Sequence, residues 1–303
     1  MKCYKPVMIK YTKRNKITGD REGPERRLMV RCGKCLACRE EIAKEYTYRF
    51  MNEYTYYKYL YFITLTYRDE DIPKNADGFE TLNKKHIVDY LKVINVNVAR
   101  DNYIIDKKYR YFVGAEYGEQ TMRPHYHVSI LCNDERVGQY FMAKWKYGNI
   151  DFQVGDMRSV FYVIGYSNKK IGDNDKYYDD LGLERPFRKF SKGLGKDYYE
   201  ERKHELAGKY YGQLGYSRIA LPNYYKNKLK ESELVDIQEL TRKAEANNLK
   251  LLEFYKKTYD DGYTLDDYLA NCDIQNIRIN QTLKQRERNY KDRYKYKKSR
   301  NKI

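Results

Sequence analysis

Tyr109-Arg110-Tyr111-Phe112-Val113-Gly114-Ala115-Glu116-Tyr117, then Gly118-Glu119-Gln120-Thr121-Met122-Arg123-Pro124, then His125-Tyr126-His127-Val128-Ser129-Ile130-Leu131-Cys132 is the stretch that decides the fold. Two runs rich in β-branched and aromatic residues flank a short link with Gly at one end and Pro at the other, which predicts an antiparallel hairpin. Side chains alternate along a strand, so His125 and His127 share one face while Tyr126, Val128 and Ile130 share the other. Two neighbouring imidazoles form a ready chelate. On the partner strand Glu116 lies close to the hairpin end, where it can add a carboxylate, with Glu119 as its competitor. Imidazole plus carboxylate suits Mg²⁺ or Mn²⁺ handling a phosphate, with zinc as the other option. Alone, the two histidines are equally well read as structural.

Outward from the hairpin, the pattern alternates between helices and strands. Leu36, Ile42, Ala43, Tyr46, Phe50, Tyr54 and Tyr57 form an apolar stripe that predicts a helix over 36–57. Leu60 to Tyr67 reads as a buried strand. Asn83 reads as the N-cap of a helix reaching Arg100, with Ile87, Leu91, Ile94 and Val98 on one face and His86 on the surface. Further expected elements are a helix Val137–Lys146, a strand Ile150–Val154 and a helix Met157–Lys170. The Gly- and Asp-rich stretch 171–183 reads as a loop. Residues 229–258 read as helical, and 284–303, with ten basic and two acidic residues, as a solvated arm. Cys132 is expected in the core, and nothing is assigned to Cys272.

The predicted helix 157–170 holds a second group of reactive side chains. Tyr162 and Tyr166 are one turn apart, on one helical face, with Lys169 and Lys170 near the same end. Such pairs are usually core residues. Here the polar end of the segment and the upstream metal candidate favour a nucleophilic role, since a free phenol with a pKa of about 10 needs an activated electrophile to attack at neutral pH.

Composition bounds the remaining possibilities. The chain has 303 residues, 60 Lys+Arg against 43 Asp+Glu, a formal net charge of +17 and 36 Tyr. That surplus attracts polyanions, and basic grooves with aromatic residues suit single strands. No apolar run is long enough for a membrane helix or resembles a signal peptide, which gives the expectation of a soluble, cytosolic protein without membrane partners. Six Cys are too sparse for a disulfide framework. Cys32, Cys35 and Cys38 are spaced C-x-x-C-x-x-C around Gly33, and with Cys3 as fourth ligand they read as a structural zinc site. No internal repeat is present.

Phe62-Ile63-Thr64-Leu65-Thr66-Tyr67, the Glu116 to His127 run, and Tyr162-x-x-x-Tyr166-x-Asn168-Lys169-Lys170 together resemble the three ordered motifs of HUH-type rolling-circle replication initiators. The tandem Tyr is similar to that of the small single-stranded DNA phages. The cysteine segment, Ser191–Gly195 and Leu221-Pro222-Asn223-Tyr224-Tyr225 resemble the gokushovirus branch of the microviruses. The resemblance covers residues 1 to about 230. It implies that His125, His127 and Glu116 hold a divalent metal, that Tyr162 and Tyr166 alternate as nucleophiles at an origin, and that Lys169 or Lys170 stabilises phosphate charge. It also implies single-stranded and origin DNA, the host helicase and the replication machinery as partners, in the host bacterial cytoplasm. Gly165 between the two Tyr, and Gly-Leu-Gly after Lys192, depart from the simplest pattern.

The expected fold class is α+β, an antiparallel sheet with helices on one face. It resembles the ferredoxin-like core of HUH nucleases, with an N-terminal zinc segment and a C-terminal basic helical extension. The expected organisation is a Cys-rich zinc segment with its helix (1–58), an endonuclease core (59–172), a family-specific extension (173–228) and the basic extension (229–303). The competing readings are a zinc-containing nucleic-acid-binding protein without catalysis and an HUH transposase or relaxase. The tandem Tyr argues against single-Tyr transposases, and the Cys cluster against typical relaxases.

Overall fold

The computed structural model describes Cys3 and residues 7–14, 21–171, 175–207, 209, 211–214, 217–232 and 234, with isolated helical positions at 246, 249, 250, 253, 257, 287–289 and 291. The chain divides into two compact units, one comprising Arg39–Leu234 and the other Met1–Cys38 with Val235–Ile303. In chain order the elements are β1 (Val7–Arg14), β2 (Arg21–Val30), α1 (Leu36–Tyr54), β3 (Tyr59–Thr66), α2 (Lys84–Arg100), β4 (Tyr109–Tyr117), β5 (Pro124–Cys132), α3 (Glu135–Ala143), β6 (Ile150–Val154) and α4 (Met157–Lys170). Then follow α5 (Asp175–Asp180), β7 (Phe187–Phe190), α6 (Lys196–Ala207), β8 (Tyr211–Leu214), β9 (Ser217–Ala220) and α7 (Asn223–Glu231). The fold is α+β. No described helix is long and apolar enough to cross a membrane.

Five strands form one antiparallel sheet in the order β6-β3-β5-β4-β7, so β5 is central. Helices cover both of its faces, which corrects the expectation of helices on one face. Tyr61, Ile63 and Leu65 of β3, Val113 and Ala115 of β4, and Tyr126, Val128 and Ile130 of β5 pack with Ile87, Leu91 and Ile94 of α2 and Val137 and Phe141 of α3. The opposite parity, Leu60, Phe62, Phe112 and Leu131, packs with Phe50 of α1 and Val160, Val163 and Ile164 of α4. The reason lies in the strands themselves: Leu60 to Leu65 and Ile130 to Cys132 are apolar or aromatic at consecutive positions apart from Thr64, a pattern that needs both faces buried.

Local signals place most elements as expected. Asn83 caps α2, its side chain accepting from the backbone N–H of Lys85 and His86. β6 and α4 have the expected ends. Helix α3 stops at Ala143 rather than Lys146, because Trp145 to Asn149 bind the end of β3: Trp145 Nε1 donates to Thr66 O at 2.9 Å, Thr66 N to Asn149 O at 3.0 Å and Arg68 N to Tyr147 O at 2.9 Å. The predicted loop 171–183 contains α5, which ends at Gly182 with φ 61° and is tied by Arg185 to Asp175 and Asp179. Helix α7 ends at Glu231, so no single helix runs on through 229–258, and most of that range, like most of the basic arm and all of Cys272, lies outside the described residues.

A buried ionic cluster joins α1, β4 and α6. Glu53, fully buried, receives Arg110 Nε at 2.9 Å and the backbone N–H of Asp197 at 3.0 Å, capping the first turn of α6. Asp197 in turn pairs with Lys108 at 2.7 Å and accepts from the Tyr57 hydroxyl at 3.0 Å. Burial, outweighing the Arg110 hydrogen bond, pushes the Glu53 carboxyl up to about 7.

Candidate active site and cysteine cluster

The central hairpin brings one carboxylate to two imidazoles. Glu116 pairs directly with His125 across β4 and β5, and His127 follows two residues on along the same face. Glu116 Oε1 lies 3.2 Å from His125 Nε2 and 3.4 Å from His127 Nε2. One ligand atom from each of the three residues falls within 4.8 Å of the others. This is the carboxylate the cross-strand register selects. Glu119 sits exposed in the turn, outside that set.

The outer ring nitrogens have partners that orient the donors. His125 Nδ1 lies 3.1 Å from the Arg123 carbonyl, which can only accept, so Nδ1 carries a proton and Nε2 is the ligating atom. His127 Nδ1 lies 3.1 Å from Thr64 Oγ1, and Thr64 is its register partner on β3. The His127 ring also stacks on Phe62 at 5.6 Å. A buried carboxylate with two imidazoles presenting Nε2 is an N/O donor set that fits a divalent cation.

Behind the sheet, Tyr126, between the two histidines, shares a 2.8 Å hydrogen bond with the Tyr67 hydroxyl and donates to Asn83 O at 3.0 Å. Tyr67 OH also meets His86 Nδ1 at 3.1 Å, and the His86 ring stacks on Tyr147 at 3.8 Å. His86 is therefore a half-buried strut rather than a surface residue. Its pKa is lowered, first by burial and then by Lys146 and Lys85. Sequence reasoning missed Thr64, the Arg123 carbonyl and this strut. The available signal was two Thr alternating with Ile63 and Leu65, which marks Thr64 and Thr66 as facing away from the α2 side.

Helix α4 crosses the face that bears the histidines. The Tyr162 ring stands edge-on to His127 with centroids 6.0 Å apart, and its side chain is half exposed. Burial raises its pKa above the usual phenol value, and the carboxylates of Glu116 and Glu119 add to that. Tyr166, Lys169 and Lys170 lie on the same helix, but their side chains are outside the description. Gly165 leaves the helix unbroken, and nothing lies within 4 Å of where its Cβ would be.

The second cluster is built from Cys3, Cys32, Cys35 and Cys38. Their Sγ separations include 3.7 Å (Cys3–Cys32), 3.8 Å (Cys35–Cys3) and 3.9 Å (Cys32–Cys38). A tetrahedral ion with Zn–S bonds of about 2.3 Å needs sulfurs about 3.8 Å apart. Gly33 turns the loop with φ 73°, and the Cys35 N–H donates to Cys32 Sγ at 3.3 Å and the Cys32 N–H to Cys3 Sγ at 3.4 Å. The neighbouring Cys35 thiol, then burial, pushes the Cys38 thiol far up, so four thiolates at neutral pH require a compensating cation. The donor set fits zinc.

The family model of replication-associated protein ORF2 matches residues 60–171, which span β3 to the end of α4 and contain Glu116, His125, His127 and Tyr162. The chain belongs with the phage replication-associated proteins. It is 25% identical to replication-associated protein VP4 of Bdellovibrio phage phiMH2K, over 75% of this chain and 75% of that protein. It is 28% identical to replication-associated protein ORF2 of Spiroplasma virus 4, over 66% and 67% respectively. Replication-associated protein ORF4 of Chlamydia phage 1 is 22% identical over 66% of this chain and 53% of its own length. No solved structure matches the chain.

Proposed function

We propose that this replication-associated protein is an HUH-type endonuclease with a ferredoxin-like core. It nicks the origin of a circular phage DNA by tyrosine transesterification, starts rolling-circle synthesis and rejoins the displaced strand. The observation that carries the reading is the Tyr162 ring standing 6.0 Å from His127, within the Glu116–His125–His127 set. Family membership supplies the replication context, and the net charge of +17 suits DNA as partner.

Glu116, His125 and His127 would hold Mg²⁺ or Mn²⁺, whose chemistry there is to polarise a phosphate oxygen and offset its charge. The Tyr162 oxygen attacks phosphorus, loses its proton, and forms a Tyr–O–P bond as the P–O3′ bond breaks. The departing oxygen takes up a proton and becomes the 3′-OH primer, while the 5′ phosphate stays on the enzyme. Tyr166, one helical turn on along α4, takes the second transesterification after one circuit, and the 3′-OH of the displaced strand then attacks the first phosphotyrosine to close the circle. Lys169 and Lys170 stabilise charge on the phosphate. Cys3, Cys32, Cys35 and Cys38 would hold a structural Zn²⁺. Residues 59–172 form the endonuclease core in this reading, flanked by the zinc segment 1–58 and the extensions 173–228 and 229–303. Single-stranded and origin DNA, with the host helicase and replication machinery, are the partners, in the host cytoplasm.

The test is a denaturing gel of purified protein incubated with labelled single-stranded origin DNA and Mn²⁺. A covalent protein–DNA band that is lost in EDTA, in His125→Ala and in the Tyr162→Phe/Tyr166→Phe double variant is expected. Tight DNA binding with no adduct would leave a non-catalytic zinc-containing binder.

A further inference from the structure

The β1–β2 ribbon has a charge register that folding does not explain. Its antiparallel pairs run from Val7↔Val30 to Arg14↔Arg21, with a register shift between Tyr11 and Lys13. Lys10 stands opposite Arg27, and Arg14 opposite Arg21, while Lys13↔Glu22 is the one pair of opposite sign. Like charges directly opposite each other destabilise a strand pair, and a two-stranded ribbon is marginal to begin with. The ribbon strands carry Lys10, Lys13, Arg14, Arg21, Arg26 and Arg27 against Glu22 and Glu25. Beyond the Val7↔Val30 end the chain enters the four-cysteine cluster, where Cys32 N–H bonds Cys3 Sγ and clamps both strands. Exposed Arg31 and Lys34 beside that clamp extend the same sign.

We propose that this cysteine-clamped ribbon is a binding surface for the phosphate backbone of DNA. Stability is given up at two register positions, and a polyanion between or along the strands is what relieves it, because phosphates screen the repulsion and release their counterions. The dimensions suit the occupant, since a two-stranded β-ribbon is an element that a DNA groove admits. The choice of DNA among polyanions rests on the function proposed above.

Fluorescence anisotropy of the full chain with labelled single- and double-stranded DNA, over a salt series, tests the surface. The variant R21E/R27E turns both like-charge pairs into opposite ones. Its thermal midpoint should hold or rise, while DNA affinity at about 0.1 M salt falls at least about tenfold and the salt slope shrinks by about 1.5. The charge-matched control K92E/K230E, on exposed positions of α2 and α7, should lose less than about threefold. Equal losses in both variants, or none in R21E/R27E, would overturn the proposal. If R21E/R27E melts early, R21Q/R27Q replaces it under the same criteria. Adduct formation is scored separately at saturating DNA: binding that depends on the ribbon without any adduct would sink the nuclease reading and leave this one standing.

Discussion

At His127 the two ring nitrogens meet different partners, Thr64 Oγ1 at Nδ1 and Glu116 Oε1 at Nε2. Only with Nδ1–H donated to the hydroxyl is the Nε2 lone pair left for a cation, so Thr64 acts on metal affinity without touching the ion. Thr64→Val keeps shape and removes the acceptor. Mn²⁺ affinity, read by EPR on the DNA-free protein, should fall by about 10-fold or more, whereas Thr64→Ser should stay within about threefold. Equal affinity in both variants would remove Thr64 from the site. The choice of carboxylate is also a residue-scale matter. Glu116 and Glu119 are three apart in sequence, yet only Glu116 lies in register with His125, while Glu119 falls beyond the strand end.

Among elements, three glycines predict opposite outcomes from the same change. Gly165 in α4 has open space where a Cβ would go, so Gly165→Ala should add about 0.5–1 kcal/mol of stability by helix propensity, read as a higher thermal midpoint. Gly148, in the segment bound to the end of β3, would put a Cβ 2.2 Å from Thr66 O, and Gly138 in α3 one 2.5 Å from the Tyr61 ring. Gly148→Ala meets backbone and should cost about 1–3 kcal/mol or more. The Glu53–Arg110–Asp197 cluster gives a second contrast. Arg110→Met leaves the buried Glu53 carboxylate without its cation and should cost about 3–5 kcal/mol in denaturant titration. With a pKa raised from 4.5 to about 7, folded Glu53 binds a proton that the unfolded chain has released. Its contribution is therefore complete below about pH 4.5 and is lost as pH climbs through 7, and Glu53→Gln should flatten stability across that window. At Asp197 burial pushes the carboxyl up, but hydrogen bonds with Lys108 and Glu53 outweigh it and hold the group below its ordinary value, so it works in the opposite sense at acid pH.

For the whole molecule, the two candidate metal sites lie in different compact units, the thiol cluster in one and the carboxylate–imidazole set in the other. Their chemistry separates them: soft thiolates select zinc, and carboxylate with imidazole accepts Mg²⁺ or Mn²⁺. Purified protein should contain about one tightly held Zn²⁺ per chain by plasma emission, and Cys35→Ser should lose it along with the midpoint of any zinc-dependent melting step. Mn²⁺ binding at Glu116, His125 and His127 should survive that substitution. Loss of both metals together would mean that the sites are not independent.

Much of this was legible in the chain itself. The period-2 alternation of His125-Tyr126-His127, the Asn83 cap, the ends of β6 and α4 and the spacing of Cys32, Cys35 and Cys38 are local, and local sterics and hydrogen bonding decide them. The helix α5 was hidden because its Asp- and Gly-rich composition resembles a loop, and its ties to Arg185 come from beyond the stretch. What only the tertiary structure decided are relations between distant positions. These are the burial of both sheet faces, the register that pairs Glu116 with His125 and Thr64 with His127, the strut from His86 through Tyr67 to Tyr126, and the crossing of α4 that sets Tyr162 beside His127. Periodicity reports which face a residue takes within its own element. Which other element meets that face depends on packing the whole chain around one sheet, and that free energy belongs to no single segment.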